Sequence, residues 1–310
     1  MYRYVLRRLL VIIPSLLGVM VMVFFIMELS PGDPASIILG SGATQEAIDK
    51  LNHELGYDRP AFERLLKYVT NVFTRLDFGD SYRTRRPVIE SVLKCIPVSV
   101  RVASNAIVFA AGIGIPLGVL SAVKQYSLLD TVPTLMALFL AALPGFWLGM
   151  MLLYVFSLKL GWFPSYGIAS WKSFVLPTIS LGLPYAAQEL RFTRSSMLET
   201  IRQDYVRTAR AKGASERRVI WMHALKNALL PVITVTGGTF SAMLGGSVVT
   251  ETLYSIPGLG SLIVTSIKIK DMPTVMGCTL VLAAMCAVVL LAVDLLYALV
   301  DPRIKARYSA

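Results

Sequence analysis

Long apolar runs constrain this chain more than any other feature, because about 20 apolar residues in a helix match the hydrocarbon thickness of a bilayer. Hydropathy predicts membrane spans at 9–29, 98–123, 132–158, 228–249 and 273–300. Hydrophobic residues make up 55% of the 310 residues, above the roughly 45–50% of an average soluble domain. The sequence therefore predicts an all-α integral membrane protein.

The segment 174–190 is undecided by hydropathy alone, since it is short and Pro177 and Pro184 interrupt it. Charge decides between the two topologies. If this segment crosses the membrane, the basic N-terminus and residues 191–227, with nine Lys and Arg, lie on the same side. Basic residues accumulate on the cytoplasmic side, so six spans with both termini in the cytoplasm are predicted.

The first apolar run has a signal peptide as its alternative interpretation. Its 21 residues exceed the apolar core of a signal peptide, and a Pro-Gly-Asp-Pro turn at 31–34 follows instead of a small-residue cleavage site. We therefore assign 1–30 to the N-terminus and first transmembrane helix. Residues 98–300 form the transmembrane core, with a cytoplasmic segment at 191–230, and 301–310 form a cytoplasmic tail.

Residues 31–97 differ completely from the spans, with nine acidic and nine basic residues. Helical patterning is found around 45–55 and 61–76, and glycine-containing turns follow each stretch. The topology places this segment outside the cytoplasm, where its length exempts it from the rule on basic residues. It is predicted to be a small extracytoplasmic insertion after the first helix.

The net charge of +11 also raises the possibility of nucleic-acid binding. The basic residues are concentrated where membrane topology requires them, so we expect no nucleic-acid partner. The three cysteines show no Cys-x-x-Cys or Cys/His spacing, and the two histidines are far apart, which predicts neither a disulfide framework nor a metal site.

Motifs for bond chemistry are missing from the sequence. No P-loop, His-Glu-x-x-His or Gly-x-Ser-x-Gly occurs, so we expect no catalytic residue and no cofactor in this chain. Few ionisable residues fall within the predicted spans, and all of them are near span ends: Glu28, Arg101, Glu189 and Asp294. The absence of a carboxylate near the midplane weakens an ion-coupled carrier without excluding it.

The stretch 199–231 is a polar helical segment between two hydrophobic spans. Two helical runs meet at 212–215, where Gly213 suits the left-handed position after the first helix and Ser215 suits the cap of the second. Glu216 then lies at the positive end of the second helix dipole. Helical periodicity places Trp221 and Leu225 on the face opposite Glu216. Such a hairpin can rest one face on the membrane domain and offer its turn to lipid, nucleic acid or protein.

The fifth span is the most polar of the six, and two interpretations stay open for it. Its small and hydroxyl residues can serve close helix packing, or part of this face can line a water-accessible path between two membrane subunits. Pro144 in the third span is either a packing kink or a gate, and Glu251 either caps a helix or loop or touches solute. The candidates for the translocation path are Pro144, Thr236, Thr239, Ser241, Ser247 and Glu251.

Residues 205–215, YVRTARAKGAS, followed by 223–231, HALKNALLP, resemble the cytoplasmic "EAA" loop of binding-protein-dependent ABC import permeases. The resemblance is to the dipeptide/oligopeptide/nickel branch of these permeases. The long insertion of this chain after its first helix is similar to that of the B-type subunit. Further matching motifs are PGDP at 31–34, DFGDSYRTRRP at 77–87, SIPGLG at 255–260 and DPR at 301–303. Where the general motif has Glu-Ala-Ala, this chain has Arg207, Thr208 and Ala209.

The resemblance implies the type I ABC importer permease fold in a bacterial or archaeal inner or plasma membrane. It also implies a heterodimer with a C-type permease, two ATPase subunits that bind ATP and Mg, and an extracytoplasmic substrate-binding protein. By resemblance, the turn docks into a groove of an ATPase subunit through Arg207, Thr208, Ala209, Gly213, Ala214, Ser215, Glu216 and Arg217. The branch transports dipeptides, oligopeptides, nickel chelates, glutathione or haem, and a channel or ion-coupled carrier without ATPase subunits is the alternative function.

Overall fold

The computed structural model describes residues 2–40 and 42–300, so the predicted tail at 301–310 lies outside the described residues. Within these ranges the secondary structure is helical, with one isolated bridge between Asp80 and Pro87 and no strand. The helices are α1 Tyr2–Leu29, α2 Pro34–Leu39, α3 Gln45–Leu55, α4 Ala61–Arg75, α5 Val88–Val123, α6 Leu128–Ala142, α7 Gly145–Leu152, α8 Val175–Ile201, α9 Asp204–Ala211, α10 Glu216–Arg218, α11 Leu225–Leu253, α12 Leu259–Lys268 and α13 Met272–Val300. Helix α7 continues as a π-helix, Leu153–Lys159, and another π-helix, Val219–Ala224, joins α10 to α11.

Four described helical stretches are long and apolar enough to cross a membrane: Arg8–Leu29, Val88–Val123, Glu216–Leu253 and Met272–Leu296. A fifth crossing is the pair Leu128–Ala142 and Gly145–Lys159, bent by 100° at the predicted break. Helix α8, which hydropathy left undecided, is not apolar enough by the same measure. It nevertheless packs against α5, α6, α7 and α11 at the centre of the bundle. The predicted all-α membrane fold is confirmed with up to five spans among the described residues, and the crossing by α8 that would make six stays a prediction.

Helices α5 and α8 form the most extensive helix pair in the described chain. Their backbones approach closely at two glycines. A Cβ atom at Gly114 would lie 2.6 Å from Glu189 Cβ, and one at Gly118 would lie 2.6 Å from Thr193 Cβ. Small residues therefore permit this contact, as is common between membrane helices.

Three helices extend further than the predicted spans. Helix α5 begins at Val88, ten residues before the predicted span, because Val88 and Val92 are buried in a core that continues outside the span. Pro97 is accommodated within it, since proline removes only one backbone donor. Helix α8 continues to Ile201, and 216–253 is one helix of 38 residues. The polar segment 191–230 thus consists of the projecting end of α8, the short helix α9, the turn at 212–215 and the start of the helix 216–253.

The insertion contains the two helices that the sequence predicted, α3 and α4, and it is anchored to α1. Arg64 on α4 donates to Glu28 Oε1 at 2.5 Å and lies 4.2 Å from the Tyr57 ring centroid. Leu65 and Val72 pack into a buried cluster that also includes residues of α1 and α13. The insertion is therefore built onto the end of α1 and the start of α13.

Two buried charged residues between α12 and α13 attach neighbouring segments. Lys270, whose side-chain burial lowers its pKa, donates to the carbonyl oxygens of Ser30 and Gly32. Asp271 accepts from Ser81 Oγ at 2.5 Å, Tyr82 N at 3.0 Å and Thr274 Oγ1 at 2.9 Å. These contacts join the ends of α1 and of the insertion to the start of α13. Sequence reasoning missed both residues, since nothing in their local pattern signals burial.

Candidate functional site

The turn between α9 and α10 has the backbone that the sequence predicted. Gly213 adopts φ +78°, in the left-handed region, and its N–H donates to Arg210 O at 2.9 Å. Ala214 N donates to Ala209 O at 3.2 Å, which satisfies another carbonyl at the end of α9. Ser215 occupies the N-cap position of α10, but its hydroxyl makes no capping hydrogen bond. The glycine and the cap position were predicted correctly, and the capping bond was not found.

An ion pair closes this turn from one side to the other. Arg210 donates from Nε to Glu216 Oε1 at 2.7 Å and from Nη2 to Glu216 Oε2 at 3.4 Å. These hydrogen bonds from Arg210 lower the pKa of Glu216 below its ordinary value. Asp204 and Arg207 approach more loosely, at 3.9 Å, with both side chains largely exposed. The Arg210–Glu216 pair is thus the closer of the two ion pairs on the described turn.

The residues predicted to contact an ATPase subunit are brought together on an accessible surface. Gly213 has no atom of this chain within 4 Å of an added Cβ, so no internal contact requires a glycine there. Thr208 directs its hydroxyl back to Asp204 O at 2.9 Å. The exposed members of the set are Arg207, Thr208, Gly213, Ser215, Glu216 and Arg217, while Ala209 and Ala214 are half-buried.

The underside of the turn packs onto the ends of the span helices. Val206 on α9 and Val219 at the start of the π-helix are fully buried. Sequence reasoning missed Val206, although it is a β-branched aliphatic residue in an otherwise polar run. Trp221, predicted to share the face of Leu225, is 54% exposed. Trp221 lies within the π-helix Val219–Ala224. The wider turn of this helix rotates Trp221 away from the face that helical periodicity assigned to it.

Side-chain contacts connect the turn to the membrane helices. A cluster of small and apolar residues from α5, α8 and the helix 216–253 lies next to the turn: Val119, Ala122, Met197, Ala224, Leu225 and Ala228. Ser196 Oγ donates to Ala228 O at 2.9 Å, which joins α8 to α11. Asp130 at the start of α6 accepts two hydrogen bonds from Arg194 on α8, at 2.6 and 2.8 Å. Packed and hydrogen-bonded contacts therefore connect the ends of α6, α8 and α11 next to the turn.

Deeper in the membrane, Glu189 lies in the middle of α8 because this helix continues past its predicted end. Its side chain is fully buried, and Oε2 accepts from Thr236 Oγ1 on α11 at 3.0 Å. The other ionisable residues of the predicted spans are also in contact with other side chains. Glu28 pairs with Arg64, Asp294 pairs with Arg8 at 3.0 Å, and Arg101 lies 4.3 Å from the Phe174 ring centroid.

The predicted path residues of α11 face the interior of the subunit. Thr239, Ser241 and Ser247 are buried, and Thr236 is half-buried against Glu189. Ser241 Oγ donates to Cys286 O at 3.4 Å on α13. In this conformation their hydroxyl groups serve helix packing, and their role in a path stays a prediction. The exposed side of α11 instead carries a mixture of small, polar and aliphatic residues: Ile233, Thr234, Ala242, Gly245, Val249 and Thr252.

Glu251 and Pro144, the other two path candidates, lie at different places. Glu251 is fully buried and accepts from Ser247 Oγ at 3.0 Å, Gly260 N at 2.7 Å and Ser261 N at 3.2 Å. Its carboxylate thus caps the N-terminus of α12, which favours the capping interpretation. Pro144 is exposed at the 100° bend between α6 and α7. The six candidates are therefore not brought together in one site.

Comparisons with known proteins agree on one family. The family described as binding-protein-dependent transport system inner membrane component matches residues 114–306, and its N-terminal component matches residues 1–103. The glutathione transport system permease protein GsiC of Salmonella choleraesuis strain SC-B67 is 39% identical over 305 residues, covering 98% of this chain and 99% of its own length. The GsiC protein of Escherichia coli strain K12 is 38% identical with the same coverage.

Solved structures show the same fold at lower sequence identity. A chain of the MetNI methionine ABC transporter in an inward-facing conformation superposes with a TM-score of 0.60 and 19% identity, covering 69% of this chain and 97% of its own. A chain of an amino acid ABC transporter solved with histidines gives a TM-score of 0.53 at 13% identity, with 69% and 94% coverage. This is the type I ABC importer permease fold. The chain belongs to the inner-membrane permease components of binding-protein-dependent ABC importers.

Proposed function

We propose that this chain, paired with a C-type permease, forms the translocation path of an importer for peptides or a related small solute. Two ATPase subunits drive the complex, and an extracytoplasmic binding protein delivers the solute. ATP and Mg are bound by the ATPase subunits, and this chain carries out no bond chemistry. Both of its termini and the turn around Gly213 face the cytoplasm.

The observation that carries this proposal is the exposed segment at 202–215, which contains α9 and the turn around Gly213 and is held between α8, ending at Ile201, and the helix 216–253. A rigid connection moves both helices when an ATPase subunit moves the turn, whereas a flexible loop would absorb the displacement. The eight predicted contact residues, 207–209 and 213–217, all lie on or beside the accessible side of this turn.

The relatives support a peptide as the substrate class. GsiC is a glutathione transport permease, and this chain matches it over nearly its whole length. A peptide of two or more residues is therefore the first class to test. A cavity of about 450 Å³ lies between α4, the turn at 79–82 and the start of α13. At this cavity the insertion would contact the binding protein or the solute that the binding protein delivers.

The path itself is proposed to lie beside the exposed side of α11, facing the second permease. Thr234 and Thr252 mark its two ends, and small residues between them allow close approach of a second subunit. Pro144 adds a bend in the neighbouring α6–α7 segment. Thr236, Thr239, Ser241, Ser247 and Glu251 contribute to a path only where a different conformation turns them toward this side.

Reconstitution separates this function from its alternative. The two permeases are placed in vesicles with and without the ATPase subunits, and uptake of labelled glutathione and of a tripeptide is measured with the binding protein outside. We expect uptake only with ATPase subunits and ATP. Sustained uptake by the permease pair alone would indicate the channel or ion-coupled carrier instead.

A further inference from the structure

The turn carries more positive charge than its own acids neutralise. Between residues 204 and 218 there are five Lys and Arg and two acids. Glu216 is occupied by Arg210, and Asp204 is near Arg207. Three exposed cations have no acidic side chain within ion-pairing distance among the described residues: Lys212, Arg217 and Arg218. They lie on either side of Gly213, at the tip of the turn.

Unpaired cations crowded at one tip repel each other, so this surface is not arranged for the stability of the isolated subunit. Anionic lipid headgroups are one way to neutralise such a cluster. Arg218, however, is ten residues before Ala228, where the apolar run of the fifth span begins. At 1.5 Å per helical residue, this is roughly 15 Å from the hydrocarbon. The headgroup layer takes up about 5–8 Å of that distance.

The remaining gap is about one Debye length at physiological ionic strength, so attraction to the headgroups is reduced to about a third of its value at the membrane surface. A protein that approaches from the cytoplasm can contact these cations directly, which favours a protein over lipid as the source of the counter-charge. The tip is also the part of the turn with the least internal packing, since the buried residues Val206 and Val219 lie beneath it.

We propose that the surface of the ATPase subunit that receives this turn is acidic where it meets Lys212, Arg217 and Arg218. The inference rests on the proposed function and adds the chemistry of the partner surface. Arg210 is excluded from this contact because Glu216 already holds its guanidinium. The contact supplies orientation and association rate, which charge complementarity governs at protein interfaces.

The test is the affinity of the purified ATPase subunits for the permease pair in nanodiscs of phosphatidylcholine, at low and at high salt. We expect wild-type affinity to fall as salt rises. The double variant Arg217→Glu/Arg218→Glu should bind roughly tenfold to a hundredfold more weakly at low salt and lose most of the salt dependence. Arg217→Lys/Arg218→Lys, which keeps the charge, should bind nearly as the wild type.

Lys124→Glu is the matched control, since Lys124 is an exposed cation in the α5–α6 loop on the same side of the protein. It should leave the affinity unchanged. Unchanged binding of the charge-reversed variant would overturn the acidic surface. Salt dependence that arises only when anionic lipid is added would also overturn it, in favour of headgroups.

Gly213→Val distinguishes a wrong assignment of the acidic surface from a failure of the proposed function. If it abolishes ATPase binding while the charge-reversed variant binds normally, the turn docks through shape and the acidic surface is wrong. If both variants bind normally, the docking role of the turn itself is wrong.

Discussion

The two ends of the molecule use charged residues in opposite ways. At the end that carries the insertion, which the topology predicts to be the outer end, Glu251, Lys270 and Asp271 are buried, and each binds backbone or side-chain groups of another segment. At the opposite end, which the topology predicts to be cytoplasmic, the cations of the turn are exposed, and an ion pair between Arg210 and Glu216 closes the turn. The charges at the insertion end are therefore part of the packed structure, whereas the charges of the turn are accessible on the surface of this chain.

This difference matches what each end has to do. A buried charge is tolerated only where its hydrogen bonds are satisfied, so the outer residues fix how the insertion, α1 and α13 are joined. An exposed charge contributes little to the stability of its own subunit. Mutations at the outer end should therefore affect folding, and mutations at the turn should affect coupling while the fold is retained.

The largest expected effect on stability is at the outer end, with Asp271→Ala. The change leaves the donors Ser81 Oγ, Tyr82 N and Thr274 Oγ1 without their acceptor. Each orphaned buried donor costs about 1–3 kcal/mol, and two of the three donors are buried, so the free energy of unfolding should fall by at least about 2 kcal/mol. Thermal unfolding in detergent measures this, with the exposed Glu54→Ala as the control. Equal stability of the two variants would contradict the structural role of Asp271.

An intermediate effect is expected beneath the turn, with Val206→Ala. Val206 is fully buried, so loss of two methyl groups should lower the free energy of unfolding by about 1–2 kcal/mol. Because the turn then packs less tightly against the span helices, the rate of ATP-driven uptake should also fall, and by a larger fraction than the free energy of unfolding. Val108→Ala removes the same atoms from a side chain that is 71% exposed and should change neither quantity. Similar results for both valines would show that the underside is not packed as described.

The smallest effect is expected at the ion pair between Arg210 and Glu216, with Arg210→Gln. Glu216 has a lowered pKa in the folded protein, so its pairing stabilises the turn above the unfolded pKa near 4.5 and is lost as pH falls through the folded pKa. The pair is exposed, so its worth at neutral pH is at most about 1 kcal/mol. Thermal unfolding at pH 7 should show a small difference between wild type and variant that disappears in acid. Lys212→Gln, which removes an unpaired cation, should show no such pH dependence.

The sequence predicted local backbone features well and failed where distant segments meet. Gly213 in a left-handed turn, the two insertion helices and the break near Pro144 all follow from short-range patterns. The burial of Lys270 and Asp271 depends on segments about 190 to 240 residues away, which no local pattern signals.

For the candidate site, too, the sequence located the features that depend on local patterns and missed those that depend on contacts between helices. The residues of the turn were found from a motif, and the structure brings them together. The path residues were chosen for polarity, but polarity alone cannot say which side of α11 faces the subunit interior, so Ser247 and Thr239 were selected while the exposed Thr234 was not. Trp221 was assigned to the wrong face because a π-helix changes the residue period.

ATP-driven uptake by Gly213→Val, compared with Gly161→Val, tests the central claim most directly. Both glycines have positive φ, +78° and +64°, and both have open space around an added Cβ, so backbone strain is matched. Gly161 lies in the loop after α7, on the opposite side from the proposed coupling turn. With both variants inserted in equal amounts, uptake should be lost for Gly213→Val and retained for Gly161→Val. Normal uptake by Gly213→Val would contradict the claim that this turn couples the permease to the ATPase subunits.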